Sequence, residues 1–432
     1  MQKEIKKTQL NLWHANHGAN MADFGGYEMP LWYSSAKTEH LTVLTHAGVF
    51  DTSHMAVITV EGADAFTLLQ LCFSRDLTRC TGPIPRGPIV PERCVYGVFL
   101  DEKGGVVDDA IVYKIKDERY MCVVNAGMGE ILVQQLLKYS SRMDVRLINL
   151  TDKVGKMDIQ GPLSAKILRK ILKNPEEVYE NFPYFSFKGG FHASSIPKDT
   201  VILKNGANIL LSRTGYTGEL GFEIFSSPSQ LIEIWEMVLK AGEEFGILPC
   251  GLAARDSLRV GAMLPLSHQD MGNWPFIRNP WVFALPYNSD YTGFTKEFIG
   301  SRAIQENSEC DYTYAFVGND LRKVRVSEKT EVLDTDNRVV GTVLTCVSDM
   351  GIGRLDGRIY SITSLDKPEG FNPKGLSCGF IKVSNKLEMG HVAELRDTRR
   401  SIKVRVVDSI RPNLTARKQI VTVQGSTFKV QG

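Results

Sequence analysis

Tyr96-Gly97-Val98-Phe99-Leu100-Asp101-Glu102-Lys103-Gly104-Gly105-Val106-Val107-Asp108-Asp109-Ala110-Ile111-Val112-Tyr113-Lys114-Ile115 holds two β-rich runs around a five-residue connection that ends in two glycines. Such a connection suits a hairpin, so 96–100 and 106–115 are expected as antiparallel neighbours. Side chains alternate along a strand, which puts Val107, Asp109, Ile111, Tyr113 and Ile115 on one side and turns Asp108 to the other. If that row is buried, the Asp109 carboxylate must be hydrogen-bonded, paired or functional. If it faces water, both aspartates are solvated residues beside a loop.

Working outward, 56–60 reads as a short β-branched strand and 63–72 as a helix through Phe66, Leu69 and Leu71. A helix is expected over 37–48, ending in glycine. A third strand follows the hairpin over 120–125, then a helix over 130–137. The Pro/Gly-rich stretch 82–88 is loop. Further on, 163–172 is helical, 209–212 and 222–225 are strands, and Ser227-Pro228-Ser229-Gln230 carries a helix start signal with Ser as cap. The helix it opens places Leu231, Trp235 and Leu239 in one row, with Ile234 and Val238 in the next. Beyond Pro280 strands dominate, near 324–326, 339–347, 377–383 and 404–407, so a C-terminal all-β domain is expected. Residues 409–432 are basic and weakly patterned and read as a loosely held tail.

The chain has 432 residues, 43% hydrophobic and 23% charged, with 51 Lys+Arg against 49 Asp+Glu. That length suggests two to three domains. The near-neutral balance gives no reason to expect nucleic acid or a membrane surface as partner. Eight cysteines without C-x-x-C spacing read as reduced thiols. With no apolar signal-like stretch at the start and no run long enough to span a bilayer, the cytoplasm is the expected setting.

Two more segments carry candidate chemistry. Ser212-Arg213-Thr214-Gly215-Tyr216-Thr217-Gly218-Glu219-Leu220-Gly221 lies between two strands and makes a tight turn with close backbone approach. Its Glu219 can accept two hydrogen bonds from a flat heterocycle with adjacent N–H donors; otherwise it is a solvated turn residue. In Cys250-Gly251-Leu252-Ala253-Ala254-Arg255-Asp256-Ser257-Leu258-Arg259, a helix would stack Arg255 and Arg259 to bind a carboxylate or phosphate, or would simply pair Arg255 with a nearby acid. Other patterns fail on context. Gly375-Leu376-Ser377-Cys378-Gly379 resembles a nucleophile elbow but runs into a strand, not a helix. His14 and His17 have no further ligands to complete a metal site, so no metal is expected. Gly351-Ile352-Gly353 lacks the third glycine of a dinucleotide loop.

Taken in order, these segments resemble the glycine cleavage T-protein family of tetrahydrofolate-dependent aminomethyltransferases. Asp23-Phe24-Gly25-Gly26-Tyr27-Glu28-Met29-Pro30-Leu31 is similar to D-F-x-G-W-x-M-P-L, and Phe50-Asp51-Thr52-Ser53-His54-Met55 to F-D-V-S-H-M. The hairpin supplies G-G-x-x-D-D, Gln160-Gly161-Pro162 supplies Q-G-P, and the two segments above match T-G-Y-T-G-E-x-G and G-L-x-A-R-D-x-L-R. Phe298-Ile299-Gly300 matches the F-I-G before the C-terminal domain.

The resemblance implies an α+β fold of three domains in a ring, a cloverleaf of the T-protein type, with a β-barrel-like C-terminal domain. The implied partition is 1–55 with 150–280 as a discontinuous folate-binding domain, 56–149 as the domain carrying Asp109, 281–408 as the all-β domain and 409–432 as tail. It implies tetrahydrofolate as cofactor, Asp109 as the essential carboxylate, and Glu219, Tyr96, Arg255, Asn125 and Tyr216 around the folate. A positioned carboxylate can orient a weakly basic amine and accept its proton.

The departures bear on the one-carbon donor. Gly261 replaces an acidic residue of the family, His268 replaces a glycine, and Trp274-Pro275-Phe276-Ile277-Arg278-Asn279-Pro280-Trp281 is an unusual aromatic run. His268, Trp274 and Trp281 are therefore the candidate donor-side residues. Arg75-Asp76-Leu77 resembles the R-D-L of folate-dependent demethylases, while the K-G-C-x-x-G-Q-E of transfer-RNA-modifying relatives is missing. Three functions follow: aminomethyl transfer from a lipoyl carrier protein, demethylation of a small N-, O- or S-methyl compound, and folate binding without catalysis. The first is the leading reading.

Overall fold

The computed structural model describes residues 5–80, 87–191, 201–307 and 310–420. Most of the expected loop at 82–88, and the tail from 421 onward, lie outside the described residues.

The hairpin forms as its sequence dictates. Arg93–Leu100 and Val106–Lys116 pair antiparallel, with Val98 opposite Asp109 and Tyr96 opposite Ile111. Asp101 shapes the connection, its Oδ1 accepting from the backbone N–H of Lys103 at 2.8 Å and of Gly105 at 2.9 Å. Gly104 takes the left-handed φ of 84° that a side chain would resist. With Arg119–Val124, Ala56–Glu61 and Arg146–Asn149 the hairpin makes a five-stranded sheet. Helices Ala65–Cys72 and Gly129–Tyr139 cover one face through Leu68, Leu69, Leu132 and Leu136.

A second sheet joins Phe187–Gly189, Asn208–Ser212, Gly221–Ser226, Gly155–Gln160, Gly48–Asp51 and Leu248–Pro249 in that order. Its two faces differ sharply. Met157, Ile159, Leu211, Phe222 and Ile224 form the apolar side, buried with Ile167 and Leu168 of helix Ser164–Ile171 and with Leu231, Ile234, Trp235 and Val238 of helix Leu231–Gly242. Each of those four side chains contributes about 2 kcal/mol by leaving water. The opposite face carries Lys156, Asp158, Ser212 and Glu223, all buried. The hairpin sheet lies against this face, with Tyr113, Met121 and Val123 packed on Phe187, Leu210 and Phe225.

C-terminal to these, Tyr312–Gly318, Leu376–Val383, Val339–Asp349, Glu331–Leu333, Val392–Arg396 and Ser401–Val407 close into a six-stranded barrel. The α+β fold with a terminal barrel is thus the one observed.

Several local expectations change. Residues 324–326 form no strand: Val324 is buried, but the Arg325 N–H goes to the Asp397 carboxylate at 2.6 Å, so a side chain takes the place of a ladder partner. The helix expected over 37–48 stops at Thr45, and Gly48 begins a strand instead of ending the helix. Ser227 makes no side-chain cap. Pro228–Gln230 is a 3-10 turn in which the Ser227 carbonyl takes the Gln230 N–H at 3.0 Å, and the Ser227 hydroxyl meets that of Ser229 at 3.2 Å instead. Finally, 409–420 is no loose tail, since Ile410 and Arg411 are each 1% exposed.

Candidate active site

Asp109 and Asp108 sit near the start of the long strand, on opposite faces, as alternation requires. Asp109 is partly buried and Asp108 fully so; neither is a solvated loop residue. Asn125 follows the neighbouring strand, in which Val124 pairs with Ala110, and so reaches across the end of the sheet to both carboxylates. Its Nδ2 donates to Asp108 Oδ1 at 2.8 Å and to Asp109 Oδ1 at 2.6 Å, while its backbone N–H donates to Asp108 Oδ2 at 2.9 Å. Tyr96 completes the set, its hydroxyl donating to Asp109 Oδ2 at 2.8 Å.

Two carboxylates tied to one amide nitrogen repel each other. Burial, and after it the charge of Asp108, pushes Asp109 up to about 7. Burial likewise pushes Asp108 up to about 6, against the hydrogen bonds from Asn125. The pair therefore exchanges a proton near neutrality, as a general acid/base should. The Tyr96 ring lies 5.7 Å from that of Phe283, which is 44% exposed and adds an apolar surface beside Asp109.

His268 approaches from the second half of the chain. Its Nε2 stands 3.8 Å from Asp108 Oδ1, and its side chain is half exposed. Tyr216 and Arg255 belong to the same region: the Arg255 guanidinium lies 4.9 Å from the centre of the Tyr216 ring and pairs with Asp158 at 2.9 Å. Asp158 also meets Lys156 at 2.9 Å, and Lys156 reaches Glu223 at 2.7 Å. Tyr113, two positions beyond Ile111 on the Asp109 face, donates to Glu223 at 3.2 Å. His54 is buried nearby with Nδ1 unpartnered, and burial lowers it to about 4, so its ring is neutral.

Three expected site residues stand elsewhere. Glu219 is 2% exposed, with Oε2 accepting from Thr415 at 2.6 Å and Oε1 facing Arg411 Nε at 3.5 Å. Its Oε2 serves the segment 410–418, a partner too far along the chain for spacing to reveal, while its buried Oε1 accepts no hydrogen bond among the described residues. Trp281 is a core residue, 1% exposed, with its indole N–H on the Met263 carbonyl at 2.9 Å and its ring 5.2 Å from Phe380. Trp274 lies under Lys382, 4.4 Å from ring centre to Nζ. Arg255 is paired with an acid, the plainer of its two readings, yet it borders the site.

Sequence reasoning missed Lys156, Asp158 and Glu223. A signal existed: Gly155-Lys156-Met157-Asp158-Ile159-Gln160 alternates polar with apolar, as a strand with one polar face does. Among the described residues no group of acids, histidines and cysteines is arranged to hold a metal ion, and no helix is long and apolar enough to cross a membrane.

Residues 10–274 match the model of the GCVT N-terminal domain family. Aminomethyltransferases of Geobacillus sp. (strain WCH70) and Alkaliphilus metalliredigens (strain QYMF) are 35% and 33% identical to the chain over 318 residues, or 73% of this chain and 79% of each relative. This chain belongs to the glycine cleavage T-protein family. The solved aminomethyltransferase T of the glycine cleavage system from Bartonella henselae superposes with a TM-score of 0.72 at 23% identity, covering 96% of this chain and 99% of that one. The family is one of transferases, and this chain is an enzyme of it.

Proposed function

We propose that this enzyme transfers a one-carbon unit to tetrahydrofolate, taking it as an aminomethyl group from a lipoyl carrier protein and releasing ammonia and 5,10-methylenetetrahydrofolate. The observation that carries the reading is Asp109, a partly buried carboxyl pushed up to about 7 and held on both oxygens by Tyr96 and Asn125. The surroundings suit a flat, polar heterocycle. Tyr96, Tyr216 and Phe283 offer aromatic surface, Arg255 offers N–H groups, and the unpartnered His54 Nδ1 is a buried polar atom with capacity to spare.

Tetrahydrofolate supplies two amine nitrogens that together bond the transferred carbon. Each loses one proton in doing so; one leaves with ammonia and the other restores the carrier thiol. Asp109 is the residue that accepts a proton from a folate amine and returns it, and Tyr96 and Asn125 fix the direction of its lone pairs. Packing the hairpin sheet against the polar face keeps water away from these charges and strengthens their interactions.

The test is the mass of the folate product, with tetrahydrofolate and either an aminomethylated lipoyl carrier or a panel of methylated amines, ethers and thioethers. Methylenetetrahydrofolate and ammonia from the carrier are expected. Methyltetrahydrofolate from a panel member would replace this reading with a demethylase. Unchanged turnover in Asp109→Asn would remove the catalytic role given to that carboxyl.

A further inference from the structure

Helix Leu252–Gly261 and the turn beyond it serve two sides at once. Arg255 and His268 border the site, whereas Asp256 and Gln269, the next residue in each case, line a groove of about 430 Å³ between these elements and the barrel. That is the size of a small-ligand pocket. Across from them the rim is cationic, carrying Lys323, Arg325, Arg399 and Arg400. The two acids of the lining are already engaged. Asp256 accepts from Arg259 Nε at 2.8 Å, and Asp397 accepts from the backbone N–H groups of Arg325, Arg399 and Arg400 at 2.6, 2.7 and 2.8 Å. Asp397 thereby gathers three arginines from two separate segments through their main chain alone and leaves their side chains uncommitted. Among the described residues none of the four cationic side chains makes a hydrogen bond or an ion pair. Val324 and Cys346, both buried, supply apolar lining between them.

We propose that this groove binds a short chain of carboxylates, of the kind that a folate carries as its glutamyl tail. Four cations without an acid of their own set up a positive field that a run of carboxylates neutralises, and each contact is a charge-assisted hydrogen bond. The guanidinium groups suit carboxylates in particular, because their paired N–H donors match the two oxygens. The concave shape admits a flexible chain and not the flat face of a folded protein. Position links the groove to the chemistry. A ligand whose reacting end lies at Asp109 must place its far end elsewhere, and the groove shares one helix and one turn with the site. The tetrahydrofolate reading supplies the source of the chain; the anion chemistry of the groove does not depend on it.

The test uses the full chain and a double variant, Arg399→Gln with Arg400→Gln, which removes two charges and leaves Asp397 its backbone bonds, so the fold is kept. Lys386→Gln with Lys403→Gln removes two exposed charges of the barrel region outside the groove and is the matched control. Calorimetry with a γ-linked glutamate peptide lacking any pterin is the first arm. Wild type is expected to bind it, more weakly as salt rises. The groove variant should bind it about five- to ten-fold more weakly, the loss of two exposed charge pairs, with the control unchanged. The second arm compares tetrahydrofolate bearing one glutamate with tetrahydrofolate bearing several. The longer tail should bind about five- to ten-fold more tightly to wild type and control, and this advantage should vanish in the groove variant. Peptide binding that the groove variant loses, with neither folate bound, would refute the one-carbon reading and still support the groove. No peptide binding, an equal loss in the control, or a tail advantage that survives in the groove variant would overturn the proposal. So would an acidic carrier protein that loses affinity in the groove variant while the peptide does not.

Discussion

Asp108→Asn isolates the interaction on which the site's acid/base behaviour depends. The substitution keeps the shape, and its amide oxygen can still accept from Asn125 Nδ2, so the amide bridge survives. What disappears is a negative charge, together with the bond that Asp108 Oδ2 accepts from the Asn125 N–H. Both carboxylates accept from one Nδ2, at 2.8 Å and 2.6 Å. Their charged oxygens therefore lie within about 5 Å, where repulsion is about 0.8 kcal/mol at the dielectric of water and about 3 kcal/mol at an effective value near 20. At 1.36 kcal/mol per unit, Asp109 should titrate about 0.6 to 2 units lower in the variant. The acid limb of the pH–rate profile should move down by the same amount. Stability follows through linkage. A carboxyl raised to about 7 in the folded state holds its proton more tightly there than when unfolded. It therefore stabilises the fold most below about 4, and that contribution drains away as pH rises toward 7. In Asp108→Asn the decline between those values should shrink, measurable as urea midpoints across the range. A limb that stays in place or moves upward would mean that burial alone sets Asp109 and that the charge argument is wrong.

Arg411→Ala should cost about 3–5 kcal/mol, because it leaves the buried Glu219 without its cation and Asp349 with His40 alone, and denaturant unfolding will read the loss. Gly261→Ala should be destabilising by about 1–3 kcal/mol, since a Cβ there would meet the Asp349 carboxylate and the Arg411 guanidinium; a neutral result would show that this pair can shift. Burial works to raise Asp349, but the charges of His40 and Arg411 outweigh it and hold the carboxyl far below its usual range. A depressed carboxyl stabilises above about 4 and loses that contribution on acidification, so wild type should lose stability below about pH 4 by a step that Asp349→Asn lacks.

Much of this was readable in advance because it is local. Hairpin, strand parity and the amphipathic helix through Trp235 depend on residues within a few positions of one another, and parity alone separated Asp109 from Asp108. What escaped depends on distance in sequence. Glu219 looks like a turn carboxylate until Thr415, 196 residues away, donates to it. Trp281 looks like an exposed aromatic until Phe380 closes over it. The charge pairs of Lys156 are visible only once two sheets face each other, since each strand by itself reads as half-buried. The segment 409–420 misled for the reverse reason: its basic composition suits water, and only the acids waiting at Glu219 and Asp349 draw Arg411 inside.

That segment also gives the chain a timetable. The Leu220 N–H depends on the Thr415 hydroxyl at 2.8 Å, and Arg213 donates to the Ala416 and Lys418 carbonyls at 3.0 Å and 2.7 Å. A chain leaving the ribosome has both sheets available long before these partners emerge. Until then Glu219 faces solvent or an unfinished neighbour, and the Thr214–Gly221 turn beside Tyr216 has no backing. Sheets paired in the absence of residues 415–418 would lack the hydrogen bonds that set this turn.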